Sequence, residues 1–120
     1  MSDCGVCIYQ QYDDYADIYE TSIARARKSH TCCECGGHIA QGEKYEKIAM
    51  FYDGRWSHYD TCLVCSEIAT AFCCEGRCPT ELWNGMYEVM GALTTACFDR
   101  LETPKAKTKL QRRWRGWKGL

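Results

Sequence analysis

The stretch Cys32–Cys65, CCECGGHIAQGEKYEKIAMFYDGRWSHYDTCLVC, decides the fold. It opens with Cys32-x-x-Cys35 followed by Gly36-Gly37 and closes with Cys62-x-x-Cys65 running into an apolar segment. Two cysteine pairs of this spacing are the ligand set of a closed, tetrahedral structural zinc site. Two intervening residues let the chain bend back at once and offer a second thiolate, and the two glycines supply the φ > 0 freedom that the next turn needs. Between the pairs, Asp53-Gly54 marks a two-residue hairpin turn, with EKYEKIAMFY and RWSHY as its strands. From Thr61 the period changes. Asp60 or Thr61 caps a helix starting near Cys62, with Leu63, Ile68, Ala69, Ala71 and Phe72 on its apolar face. The helix N-terminus sets partial positive charge beside Cys62 and Cys65 and favours their thiolates.

Knuckle, hairpin, then a helix bearing the last two ligands is the treble-clef order. The predicted fold class is therefore α+β: a small treble-clef zinc module with an added C-terminal helix and a basic tail. Composition agrees. In 120 residues the hydrophobic fraction of 46% counts 11 Cys and 8 Tyr, so metal crosslinks are expected to supplement a thin core. Structural zinc contributes roughly 10–16 kcal/mol in small modules, comparable with a domain's net stability. The cysteine number is odd, most cysteines sit in CxxC or CC patterns, and MSDCGVCIYQQYDDY has neither a basic nor an apolar leader region. These features favour metal over disulfides and predict a reduced, cytoplasmic protein. No apolar run approaches the roughly 18–20 residues of a membrane span.

The net charge of −1 hides a polarised chain. Residues 1–24 form an acidic arm with Asp3, Asp13, Asp14, Asp17 and Glu20 and a third pair, Cys4-x-x-Cys7. Residues 25–78 are the zinc module, entered through a short connector at 21–31 that carries Arg25, Arg27 and Lys28. Its far end holds Cys73, Cys74 and Cys78, and a second metal site built from Cys4, Cys7, Cys74 and Cys78 is expected, with Cys73 as the alternative to Cys74. Cys33 is a small buried thiol on this reading, and His30 and His58 are neighbours rather than ligands or bases. Residues 79–103 carry the packing helix, continuous over 80–101, with Leu82, Met86, Val89, Met90, Leu93, Cys97 and Leu101 at helical steps. Cys97 falls on the buried face and is not assigned as a ligand.

Pro104 is read as the end of the ordered region. Beyond it, 104–120 is a flexible basic tail in which Lys105, Lys107, Lys109, Arg112, Arg113, Arg115 and Lys118 interleave with Trp114 and Trp117. Cations for phosphates and indoles for stacking suit nucleic acid.

The pattern CxxCGxxIxxGExY, a DG hairpin, then TCxxC resembles small cysteine-rich treble-clef proteins encoded by tailed phages and prophages. Cys32, Cys35, Gly36, Ile39, Gly42, Glu43, Tyr45, Asp53, Gly54, Thr61, Cys62 and Cys65 match it, over roughly residues 25–90. The resemblance implies a zinc-bound fold, a phage-related origin and a bacterial host cytoplasm, and little about activity.

Two functions follow. The first is a non-enzymatic zinc module binding DNA or another polyanion through Arg25, Arg27, Lys28 and the 105–118 segment. The alternative is an inhibitor or adaptor whose acidic arm, Asp13–Glu20, engages a host protein. An enzyme is disfavoured: only His30, His38 and His58 exist, and no Ser-His-Asp or Cys-His constellation stands out.

Overall fold

In the computed structural model, which describes residues 4–8, 18–74 and 79–119, the chain forms two units, Gln11–Ser66 and the combination of Met1–Gln10 with Glu67–Leu120. The first is a small β unit. Strands β1 (Ile18–Arg25), β2 (His30–Thr31), β3 (His38–Ile39), β4 (Lys44–Tyr52) and β5 (Arg55–Cys62) make a three-stranded antiparallel sheet of order β1-β4-β5 and a separate β2-β3 hairpin. Asp53 and Gly54 both lie at positive φ, 51° and 74°, the geometry of a tight turn that matches strand twist. That turn fixes the register Tyr52↔Arg55 through Tyr45↔Cys62 and so carries Cys62 to the end of β5.

β1 departs from expectation. In place of a short extended or turn segment at 21–31, Ile18–Arg25 is a full strand that pairs with β4 along its whole length, from Ile18↔Phe51 to Arg25↔Lys44. Its alternation is weak because neither face is fully covered, as exposed Tyr19 and Ile23 on one face and Glu20 and Ser22 on the other show, so pairing rather than patterning makes the strand. The end is closed by Ala26 N–H donating to the Glu43 carbonyl and Gly42 N–H donating to the Ala26 carbonyl, both at 2.8 Å. Asp3, Asp13, Asp14 and Asp17 of the acidic arm lie outside the described residues. Ala26, Cys32, Ile39, Tyr45, Ile48, Thr61 and Cys65 are the unit's buried residues.

Helix α1 (Leu63–Phe72) starts one residue after Cys62 and continues into the second unit, where Ile68, Ala69 and Phe72 are buried. The expected continuous helix over 80–101 is three pieces: α2 (Leu82–Val89), a single 3₁₀ turn at Met90–Ala92 and α3 (Thr95–Phe98). Leu93 turns to extended geometry and Thr94 caps a fresh start in a capping box with Cys97, so the helical spacing survives while the helix does not. Gly91 has a packing reason: a Cβ there would meet the Trp117 ring at 3.4 Å.

The segment read as a flexible tail is a helix, α4 (Pro104–Trp117). Pro104 begins order rather than ending it, because proline suits the first helical position, where no N–H bond is lost. Thr103 caps the helix by accepting from Ala106 N–H, and Ala106 and Leu110 are fully buried. Glu67 on α1 clamps the same point: it accepts from the backbone N–H groups of Glu102 (2.6 Å) and Thr103 (3.0 Å) and from the Thr103 hydroxyl (2.7 Å). Among the described residues, no helix is long and apolar enough to cross a membrane.

Candidate metal centre

Cys32, Cys35, Cys62 and Cys65 converge as the sequence predicts, with all four sulfurs within 4.8 Å of one another. Each pair is delivered by a different device. Cys32 and Cys35 flank the turn between β2 and β3, held by Cys32 N–H to the Gly37 carbonyl and Gly36 N–H to the Cys32 carbonyl. Gly36 sits at φ 71°. Gly37 is needed for space: its N–H donates to Cys35 Sγ at 3.3 Å, and a Cβ would stand 3.1 Å from that sulfur. Cys62 ends β5 and Cys65 lies in the first turn of α1. Backbone donors face the sulfurs here too, Cys62 N–H to Cys32 Sγ (3.4 Å) and Cys65 N–H to Cys62 Sγ (3.5 Å).

Four crowded sulfurs cannot all carry charge by themselves. Hydrogen bonds from the Cys62 and Cys65 side chains hold Cys32 far below the ordinary thiol range, against the pull of burial. The same contact with Cys32 pushes Cys62 up to about 11 and drives Cys65 higher still, reinforced by burial. A divalent cation at the centre removes this conflict, since every sulfur can then ionise against it. Cys32 and Cys65 are fully buried while Cys35 and Cys62 are half-buried. An all-sulfur donor set suits thiophilic metals and excludes magnesium and calcium. The four cysteines are thus positioned to bind a metal ion and are compatible with zinc.

The cysteines expected at a second site are joined differently. Cys7 is disulfide-bonded to Cys74, and Cys4 to Cys97, with Cα–Cα distances of 5.7 and 4.8 Å. Cys97 therefore has a partner that its place on an apolar stripe concealed, and Cys78 lies outside the described residues. The expectation of a wholly reduced chain does not describe this structure, because burying Cys97 beside the N-terminal knuckle brings two thiols to bonding distance. Cys33 faces Thr61, its Sγ 3.4 Å from Thr61 Oγ1.

The basic residues split into two groups. Arg25, Arg27 and Lys28, with His30, Tyr45 and Lys47, line an open groove of about 1040 Å³, with no carboxylate in its lining among the described residues. His30 pairs with Asp60 at 3.1 Å and stacks on Tyr45, a neighbour of the metal centre rather than a ligand. On α4, Lys105, Arg112 and Arg115 are exposed, Lys107 and Lys109 half-buried. The other residues assigned to nucleic acid have structural partners. Arg113 lies 4.0 Å over the Trp83 ring and donates to the Tyr87 hydroxyl; Lys118 lies 3.7 Å over Trp114. Trp114 is half-buried and packs edge-on against Phe98 with its indole Nε1 buried. Trp117 remains about half exposed, at 48%.

Sequence reasoning missed Lys47, Phe51 and Trp56 as surface chemistry. Register places Tyr45, Lys47, Ala49 and Phe51 of β4 on one sheet face with Trp56, His58 and Asp60 of β5 and Glu20 of β1. Trp56 is 51% exposed and stacks between Phe51 (5.3 Å) and His58 (6.3 Å). The period-two alternation of RWSHY was the available signal. Comparison of the chain with protein-family models, curated proteins and solved structures finds no match.

Proposed function

We propose that this chain is a non-enzymatic, zinc-stabilised treble-clef module that binds nucleic acid, DNA in the first instance, through the aromatic and basic face of its β1-β4-β5 sheet. The observation that carries the reading is Trp56, exposed on that face with Phe51 and His58, on the same sheet as a groove lined by Arg25, Arg27, Lys28 and Lys47. Stacking platforms flanked by cations suit single strands, since every base has a π-face and every nucleotide a phosphate. Glu20 and Asp60 share the face; Asp60 is paired with His30, which leaves Glu20 as an exposed anion at the β1 edge. On α4, Lys105, Arg112 and Arg115 lie opposite buried Ala106 and Leu110 and add a second set of phosphate-binding cations.

Zinc is the metal of this reading because the donor set is four thiolates in two close pairs. The resemblance to phage-encoded treble-clef proteins belongs to the same reading. Its matching turn positions Gly36, Gly42, Asp53 and Gly54 all lie at positive φ, where their residue types have a backbone reason. The closed metal centre offers no open coordination position for chemistry, which supports a binding role.

The test is anisotropy of a labelled single-stranded DNA oligonucleotide with the full chain across a salt series. Trp56→Ala is expected to weaken binding by roughly 5- to 150-fold, the equivalent of about 1–3 kcal/mol per stacked base. Arg27→Ala and Lys47→Ala should each flatten the log–log salt slope by about 0.7. Unchanged affinity and slope in all three variants would overturn the reading. Absence of DNA binding at low salt, together with one stoichiometric host protein retained after nuclease, would replace it with the inhibitor alternative.

A further inference from the structure

Outside the metal centre the chain gathers a second set of cysteines, and what surrounds their sulfurs is unusual for plain crosslinks. We propose that Cys4, Cys7, Cys74 and Cys97 form a second tetrathiolate zinc site that fills when their two disulfides are reduced, with Cys97 in the position that spacing alone gave to Cys78.

Three observations carry this. First, Cys4-Gly5-Val6-Cys7 is a two-residue-gapped knuckle of the same kind as Cys32–Cys35, and its two sulfurs are each bonded to one distant cysteine, Cys97 and Cys74. One knuckle is thus tied to both distant cysteines, with sequence separations of 93 and 67. Second, polar donors aim at sulfur. Thr94 N–H donates to Cys97 Sγ at 3.4 Å and the Thr94 hydroxyl stands 3.7 Å from it, although Cys97 is fully buried. A disulfide sulfur is a poor acceptor, whereas a metal-bound thiolate is a good one, and the first metal centre has the same N–H to sulfur pattern. Third, a cation is built in. Arg100 places Nη1 3.6 Å from Cys4 Sγ and is fixed there by the carbonyls of Val6 and Ala71 and by the Phe72 ring at 4.5 Å. No carboxylate pairs with Arg100 among the described residues. Among the described residues this guanidinium faces carbonyls, an aromatic ring and a disulfide sulfur; a zinc ion with four thiolates carries two negative charges and would supply its counter-charge.

The chemistry balances as two steps. Two equivalents of a dithiol deliver four electrons and four protons, each ending as a cyclic disulfide, and release the four cysteines as thiols. Zn²⁺ then displaces those four protons and forms the tetrathiolate dianion. Reversal by a disulfide oxidant ejects the ion. The site stands apart from the nucleic-acid reading and survives its failure.

The experiment is native mass spectrometry of the full chain under nitrogen, with and without dithiol reduction, titrated with ZnCl₂. The expected result is one zinc on the oxidised chain and two on the reduced chain. Cys4→Ser and Cys97→Ser should each lose the second ion and keep the first, while Cys78→Ser and Cys73→Ser keep both. Because Cys97 is fully buried, the more accessible Cys4→Ser serves as the independent variant, with far-ultraviolet circular dichroism confirming that both remain folded. A reduced chain that binds only one zinc overturns the proposal. So does loss of the second ion in Cys78→Ser with retention in Cys97→Ser.

Discussion

Glu67→Ala and Glu67→Gln test how the C-terminal helix is held. The Glu67 carboxylate takes three hydrogen bonds, two from the backbone N–H groups that lead into α4 and one from the Thr103 hydroxyl that caps it. Burial opposes ionisation, yet the Thr103 and Glu102 donors and nearby Lys107 outweigh it and hold the carboxyl below the ordinary glutamate value. Truncation to alanine removes all three bonds at roughly 1 kcal/mol each; because water reaches the site, the expected loss is about 2 kcal/mol. Glutamine keeps one carbonyl oxygen for the two N–H groups but sets an NH2 donor where the other carboxylate oxygen accepted from the Thr103 hydroxyl, so that bond must reverse and the charge assistance is lost, a cost of about 1 kcal/mol.

The pH dependence has a definite sign. A depressed native pKa means that the stabilisation is whole above the unfolded value of roughly 4.3 and is lost as pH falls below it toward the native value. The gap between wild type and Glu67→Gln should therefore be constant from neutral pH to about pH 5 and close as the pH falls further, through the depressed native value. Amide exchange at 106–110, which reports α4 opening, keeps titration of the thiolate centre out of the readout. Equal protection in wild type and Glu67→Ala, or a gap that widens on acidification, would refute the clamp.

Gly37→Ala crowds Cys35 Sγ at 3.1 Å and is expected to lower zinc affinity at least severalfold in competition with a chromogenic chelator. By contrast, Gly91→Ala meets the Trp117 ring at 3.4 Å and should leave zinc affinity unaltered. Trp114→Phe removes a buried indole N–H that has no hydrogen-bond partner among the described residues, so urea melts should shift by no more than about 1 kcal/mol. The same variant should leave DNA affinity unchanged, in contrast to Trp56→Ala. Arg113→Lys loses the flat stack on Trp83 and the Tyr87 bond, and is expected to destabilise by about 1 kcal/mol in the same melts.

The metal centre was legible because ligand spacing is a local constraint: two residues between cysteines dictate a bend wherever the pair ends up in space. The Asp53-Gly54 turn was legible for the same reason, and with it the register that delivers Cys62. What the sequence hid is mostly long-range. β1 gave no clean alternation because Tyr19 and Ile23 face solvent, so only its partner strand reveals it. The pairing of Cys4 with Cys97 spans 93 residues and leaves no local trace. The basic run after Pro104 was read as a solvated tail on charge, yet Ala106, Leu110 and Trp114 recur on one helical face, and Pro104 with Thr103 is a helix start. Helical spacing over 80–101 survived two breaks because spacing records which residues are buried and not whether the backbone is continuous.

The account's central claim is that Cys32, Cys35, Cys62 and Cys65 hold one zinc ion that keeps the β unit folded. Zinc K-edge absorption of the full chain measures the donor set directly. The account predicts four sulfurs at about 2.3 Å and no nitrogen or oxygen in the first shell, with the ion lost from this site in Cys65→Ser. A shell containing imidazole or carboxylate, or a Cys65→Ser chain that retains the wild-type zinc content and spectrum, would contradict it.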